Sequence, residues 1–326
     1  MKILIIKPSS FGDIVQALPC ANALKQAYYG CEISWVVFSG WESLLKICPD
    51  VDKIIMWDKK KGFKGFFETL KQINKMEYDL IIDLQGLLRS AFLARLAKAK
   101  IKIGVPGMKE FSKIFIKEVY PQNTIMNATL RNLEVVRFLT GKTFKPKINI
   151  RVSTDSEKNV EKILQDNRLL KVSHQQQMPT KFSENFISLL PFARGKGKDW
   201  SLLNYHKLID LIEKEYFNMR ILVLGSTKDF GKIQSNEVID LCGKTGIEEL
   251  AGILLKSKVA VGADTGPMHL SSVLQTPSIF IFGASNVNET SPYIGQFSLI
   301  LNKNNPKNIN GVKPETVFTE MKKWIK

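Results

Sequence analysis

Long apolar runs are missing from this 326-residue chain. No stretch reaches the roughly 18–20 consecutive apolar residues that span a bilayer, so no transmembrane anchor is expected. The opening segment, MKILIIKPSS, is too short in its apolar part for a signal peptide and reads as a first strand, which points to a cytoplasmic protein. Histidine is scarce (His174, His206, His269), and Cys20, Cys31, Cys48 and Cys242 show no CxxC spacing. That combination argues against a zinc cluster and for reduced cytosolic thiols. Acidic charge is short as well: 31 Asp and Glu stand against 47 Lys and Arg, a net charge of +16. Such a field attracts nucleic acid, phospholipid headgroups or a phosphorylated substrate. Lysine far outnumbers arginine, so a Lys-rich proteome is the plain alternative. The aromatics do not interleave with the basic residues in an RNA-binding motif, so nucleic acid is not an expected partner.

What is present is a 44% hydrophobic, globular composition and a length suited to two domains. In the first half, short buried-strand patterns (2–7, 32–38, 53–57, 78–84, 100–105) alternate with helical patterns (13–28, to 45, 63–76, 90–99, 109–118, 127–140). A polar helix over 155–166 leads into KVSHQQQMPTKFSEN, which has almost no apolar periodicity and reads as a linker or surface loop. A second series follows: strands at 186–192, 220–226, 238–243, 259–264 and 278–284, helices at 202–216, 246–256 and 267–275. The repeated βα order predicts an α/β protein with two doubly wound parallel sheets facing each other across a cleft. The expected division is an N-terminal domain over 1–165, a linker over 166–184, a C-terminal domain over 185–310, and a C-terminal helix over 311–326 able to pack back on the first domain.

Two strand–loop–helix signatures carry the chemistry. In KPSSFGD, Ser9, Ser10 and Gly12 allow close approach and hydrogen bonding, and Asp13 opens a helix. Asp13 fits either an N-cap or a general base acting on an attacking hydroxyl. In GADTGPMH, Asp264 or Thr265 can cap the helix, Gly266 allows an unusual backbone angle, and Pro267 suits the first turn. The helix start there can bind a diphosphate, and His269, one turn in, either reaches the phosphates or is an ordinary packed histidine. RGKGKDW offers Arg194, Lys196 and Lys198 for phosphate neutralisation, or is a solvated basic loop. Asp229, after the strand at 220–226, suits ribose hydroxyls. Lys59, Lys60, Lys61 and Lys64 gather ahead of Phe66 and Phe67. Lys109, Lys113 and Lys117 fall at helical spacing opposite Phe111, Ile114 and Phe115, a pattern that fits a helix on an anionic membrane or one packed on a sheet.

In order along nearly the whole chain, KPSSFGDIVQALP, DLQGLLRSAFLARL (83–96), Lys198–Asp199–Trp200, GADTGPMHL and IFGAS resemble the ADP-heptose:lipopolysaccharide heptosyltransferases of glycosyltransferase family 9. The DLQGLLRS segment is most similar to the heptosyltransferase I type. The resemblance implies a GT-B fold with an acceptor-binding N-terminal domain and a nucleotide-sugar-binding C-terminal domain, without a metal or other cofactor. It implies transfer of heptose, with inversion, from ADP-heptose to Kdo of lipid A. Transfer to an already heptosylated core (types II and III), or another GT-B activity with a different donor, is the alternative. Asp13 matches the general base and Lys198 the lysine that stabilises the leaving ADP. Asp264, Thr265, Gly266 and His269 match the donor-diphosphate motif, joined there by Arg194 and Lys196. Asp229 stands where the family has a ribose-binding glutamate. Ser9, Ser10, Gly12, Lys59, Lys60, Lys61, Lys64 and Arg89 are expected on the acceptor side, with lysines where the first enzyme of the family uses arginines. The expected protein is a monomer, peripheral on the cytoplasmic face of the inner membrane.

Overall fold

The first five strands alternate with helices, and most of the residues that build them are apolar. In the computed structural model, which describes residues 1–122, 127–167, 169, 185–193, 195, 197–226, 230–231 and 235–325, the chain divides into two compact units, Met1–Arg151 and Val152–Lys326.

The first unit holds β1 (Lys2–Ile6), α1 (Phe11–Ala17), α2 (Pro19–Ala27), β2 (Glu32–Phe38), α3 (Glu42–Lys46), β3 (Lys53–Trp57), α4 (Gly62–Ile73), β4 (Tyr78–Asp83), α5 (Leu88–Leu96), β5 (Ala99–Gly104), β6 (Lys117–Glu118) and α6 (Ala128–Thr140). The sheet is parallel, in the order β3-β2-β1-β4-β5-β6. Ile3 to Ile6 are fully buried, as a strand covered by helices on both faces requires. Behind α1 lies α6, whose Asn132 amide donates to the Gln16 carbonyl at 3.3 Å. Asn127 caps α6 by accepting the Thr129 N–H, and Gly141 ends it at φ +69°.

The second unit holds α7 (Thr154–Asp166), β7 (Phe186–Leu190), α8 (Leu202–Glu215), β8 (Arg220–Val223), β9 (Val238–Asp240), α9 (Ile247–Lys256), β10 (Ala260–Ala263), α10 (Gly266–Val273), β11 (Ser278–Phe282), α11 (Val287–Thr290), β12 (Phe297–Leu301) and α12 (Pro314–Met321). Its parallel sheet runs β12-β11-β10-β7-β8-β9. Each unit is therefore the doubly wound parallel α/β sheet that the pattern predicts.

Three expectations are revised. The division falls ahead of α7, whereas the pattern placed 155–166 in the first domain. This helix packs on α9: the Ser153 and Ser156 hydroxyls donate to Glu248 at 2.8 and 3.1 Å, and a Cβ on Gly252 would come within 2.8 Å of Val160. The expected linker at 166–184 lies almost wholly outside the described residues. At the C-terminus, the stripe of Val317 and Met321 enters the core of the second unit, and Lys322 pairs with Glu215 of α8 at 2.6 Å. That helix thus packs within its own unit. Finally, no regular helix covers 109–118. Glu110 and Phe111 both take φ of +57°, a short 3-10 turn spans Ser112–Ile114, and β6 follows. The reason is tertiary anchoring. The Glu118 carboxylate accepts the Gly107 and Met108 N–H groups and pairs with Lys113, while the Gly86 carbonyl accepts the Lys109 N–H. Lys109, Lys113 and Lys117 do not share a helical face.

Candidate active site

In the first sheet the winding direction reverses between β1 and β4, and loops leaving the carboxyl ends of such a pair diverge to leave a crevice. The loop after β1 is Lys7–Ser10, and α1 starts at Phe11. Asp13 is the third residue of α1. Its Oδ2 accepts the Ser10 N–H at 2.9 Å and the Ser10 hydroxyl at 2.5 Å, with Asp in the Glu position of a capping box. The carboxylate is exposed while Ile14 and Val15 behind it are buried. So Asp13 is not the N-cap residue itself. It holds the helix start from the third position, with its carboxylate facing solvent.

The Ser9–Ser10 loop is fixed from both sides. The Pro8 carbonyl accepts the Phe38 N–H at 3.0 Å, and the Ser9 N–H lies 3.4 Å from Gln85 Oε1. Beneath it are two buried charges that sequence reasoning missed. Lys7, 7% exposed, donates from Nζ to the Leu84 carbonyl at 3.0 Å. Burial pushes its ammonium below the usual lysine range, against the pull of Asp13 and Asp83. Asp83, at the end of β4, is fully buried. It accepts the Gln85 and Gly86 N–H groups at 2.9 and 3.1 Å and the Ser90 hydroxyl at 2.9 Å. Burial nevertheless raises its pKa to about 6. Asp83 shapes the turn that delivers Gln85 to the Asp13 loop. Gly86 there has φ +67°, and a Cβ would meet Val105 at 3.0 Å, so the turn requires glycine. The signal was a charged residue closing an apolar strand.

The basic residues of this unit divide. Lys59–Lys61 form a 3-10 turn, with the Asp58 carboxylate accepting the Lys60 N–H at 2.9 Å. Lys59 Nζ sits 5.7 Å from the Phe38 ring, which places it beside the loop that Phe38 anchors. Lys61 is engaged with Glu68 at 2.9 Å, and Lys64 and Arg89 are exposed in the first turns of α4 and α5. Gly12 lies between the N-cap Ser10 and Asp13 and is half-buried.

The second sheet reverses between β7 and β10. Asp264 follows β10, Thr265 is the N-cap of α10 in extended conformation, and no side chain caps that helix. The expectation that Asp264 or Thr265 supplies the cap is thus not met. Asp264 turns to His269 instead, with Nε2 at 2.9 Å from Oδ1, and its Oδ2 accepts the Thr290 hydroxyl at 3.0 Å. Burial raises the Asp264 pKa, but hydrogen bonds from His269, Ser285 and Thr290 outweigh it and hold the carboxyl below its usual range. His269, 5% exposed, packs its ring 5.5 Å from Phe280. Thr265 Oγ1 is buried without a hydrogen-bond partner. With the Gly266 and Met268 N–H groups ahead of the first intrahelical bond, it leaves the start of α10 suited to an anion.

The loop after β7 leads to Lys198, which is half-buried. Asp199 accepts the Ala193 N–H, and Trp200, fully buried, donates from its indole to the Val312 carbonyl at 2.9 Å. These two residues pin the Lys198 loop. A Cβ on Gly283 would lie 3.3 Å from the Gly197 carbonyl, so the loop also abuts the end of β11. Lys198, Thr265, Gly266 and His269 are thereby grouped at the carboxyl ends of neighbouring strands. Arg194, Lys196 and Asp229 lie outside the described residues. Among the described residues no group of three or more His, Cys, Asp and Glu is placed to hold a metal ion.

Known proteins agree with this architecture. A lipopolysaccharide heptosyltransferase 1 of Campylobacter coli is 28% identical over 316 residues, covering 93% of this chain and 88% of that protein. A crystal structure of a family 9 glycosyl transferase from Veillonella parvula superposes with a TM-score of 0.84 at 17% identity, covering 99% and 97% of the two chains. The E. coli heptosyltransferase WaaC with ADP gives 0.76 at 20% identity, covering 99% of each. The GT-B fold of these enzymes is the fold of this chain. The family model for glycosyltransferase family 9 (heptosyltransferase) matches residues 66–318, and the chain belongs to that family.

Proposed function

We propose that this glycosyltransferase moves L-glycero-D-manno-heptose from ADP-heptose to Kdo of lipid A, with inversion, in the inner core of lipopolysaccharide. The observation that carries the reading is Asp13: an exposed carboxylate at the β1/β4 reversal, oriented by Ser10. It takes the proton of the acceptor hydroxyl as that oxygen attacks the anomeric carbon. The bond to the ADP oxygen breaks on the opposite face. Lys198 stabilises the negative charge that gathers on the leaving diphosphate, and the open start of α10 receives the phosphates. Asp264 acts by holding His269 and the α11 loop in place, since a carboxylate has no proton to offer a phosphate. Lys59, Lys60, Lys64 and Arg89 meet the acceptor carboxylates and phosphates, with Lys61 sharing its charge with Glu68. The acceptor is lipid-linked, so the enzyme works peripherally at an anionic membrane surface. Among the described residues no helix is long and apolar enough to cross a membrane. The E. coli WaaC structure holds ADP, which supports an adenine nucleotide as the leaving part of the donor.

The acceptor is tested by offering ADP-heptose with Kdo-lipid A and, separately, with a heptosylated core, and reading products by mass spectrometry. A product one heptose heavier from Kdo-lipid A alone supports the type I reading. Product only from the heptosylated core replaces it with type II or III, and product from neither overturns the donor assignment.

A further inference from the structure

The revised 109–118 segment leaves Phe111 and Ile114 at 84% and 77% exposure. They do not stand alone. Phe63 and Phe67, one turn apart on α4, are 86% and 57% exposed. Phe67 meets Phe66 edge-on at 5.4 Å, Phe66 stacks on Phe92 of α5 at 5.6 Å, and Phe92 meets Phe115 at 5.2 Å. The Leu88 N–H donates to Glu110 Oε2 at 3.2 Å, which ties the start of α5 to the 110–114 turn. One aromatic seam therefore joins three segments distant in sequence and carries exposed apolar side chains at both ends. Its rim is basic: Lys60, Lys64, Arg89 and Lys109 are exposed. Of the nearby acids, Glu68 and Glu118 are engaged by Lys61 and Lys113, while Glu110, exposed beside Phe111, accepts the Leu88 N–H, so the rim is basic in balance rather than free of acid.

We propose that this face of the first unit, with Phe63 and Phe111 as its protruding anchors, docks on an anionic lipid bilayer. A water-exposed apolar seam ringed by lysines matches the interfacial region of such a bilayer, with rings at the acyl boundary and ammonium groups among headgroup phosphates. The charge complementarity favours a membrane over an apolar protein partner. The proposal rests on the reading of a lipid-linked acceptor, and it replaces a single basic helix with a composite surface.

The test uses the whole protein and sedimentation with vesicles of phosphatidylglycerol and phosphatidylethanolamine, with phosphatidylcholine vesicles for comparison. The wild type is expected to prefer the anionic vesicles and to release at high salt. The double variant Phe63→Ser, Phe111→Ser should bind them at least about tenfold more weakly. Its turnover on a deacylated, water-soluble acceptor should stay at the wild-type level, while turnover on vesicle-embedded acceptor falls. Binding by the double variant equal to wild type overturns the proposal, as does a wild type indifferent to lipid charge. A wild-type dimer that the double variant dissolves, without vesicle binding, makes a second copy the occupant and also overturns it. Loss of turnover on the soluble acceptor assigns the seam to the acceptor site and overturns it too. Retained vesicle behaviour with no heptosyl transfer to any acceptor leaves the docking surface standing and refutes the functional reading instead.

Discussion

Replacing Asp13 by Asn separates its two roles. Asn keeps a side-chain oxygen at the position that accepts the Ser10 N–H and hydroxyl. The helix start survives, apart from the charge–dipole part of about 0.3–1 kcal/mol. Ala would also remove the acceptor of the Ser10 N–H and hydroxyl, at about 0.5–1.5 kcal/mol for each hydrogen bond lost. A loss below 1 kcal/mol in a unit of this size lowers Tm by no more than about 2–4 °C. The amide has no basic oxygen to take a proton, however. A positioned general base contributes about 10²–10⁴ in rate, equivalent to ~3–5 kcal/mol of barrier. Asp13→Asn should therefore lose about 10²–10⁴ in kcat in a coupled ADP-release assay. ADP should stabilise it against heat as much as it does the wild type, because the start of α10 and Lys198 belong to the other unit. A variant that keeps more than about a tenth of wild-type kcat, or one that no longer responds to ADP, refutes the reasoning.

Lys198→Ala should lower kcat about 10²–10³-fold, with a smaller change in KM, because charge on the leaving group is greatest in the transition state; an unchanged kcat with only KM raised contradicts this. His269→Ala removes the ring that meets Asp264 and should cost about 1–3 kcal/mol in urea unfolding while shrinking the ADP-induced Tm shift; no change in either measurement denies His269 its place in the donor site. Asp83 titrates at about 6 in the folded protein against about 3.9 when unfolded. The folded state holds the proton more tightly, so this contribution is full below about pH 4 and is lost as pH rises through 6, amounting to on the order of 3 kcal/mol by pH 7. Asp83→Asn should flatten the fall in unfolding free energy between about pH 4.5 and 7; an identical pH slope in both proteins removes Asp83 as its source.

Much of the fold was legible because buried parallel strands are nearly continuous apolar runs. β2 and β3 match the ranges read from EISWVVF and KIIMW residue for residue. β12 went unread: FSLIL lies on the sheet edge, is mostly half-buried, and follows a polar loop. The 109–118 pattern misled because lysines at i, i+4 and i+8 imitate a helical face, whereas Glu118 and Gly86 hold the segment in a turn through contacts that no local pattern reveals. Asp13 and the GADTGPMH segment were legible as candidates from the strand–loop–helix pattern, while the roles expected of them came from the family resemblance. Lys7 and Asp83 were not. Their importance comes from burial at the ends of adjacent strands, and β1 and β4 are separated by three helical crossovers and two other strands. Asp199 and Trp200 were legible as a motif but not as the pins of a loop, because Val312, the partner of Trp200, lies far along the chain.

Direct displacement assisted by Asp13 makes a stereochemical demand, and that is the measurement to make: the anomeric configuration of the transferred heptose, by NMR of the isolated product, compared with that in the ADP-heptose supplied. The account predicts the opposite configuration, since the acceptor oxygen enters on the face away from ADP. A product that retains the donor configuration would contradict it, because two displacements or a same-face substitution would then be needed and Asp13 could not act as the base of a single inverting step.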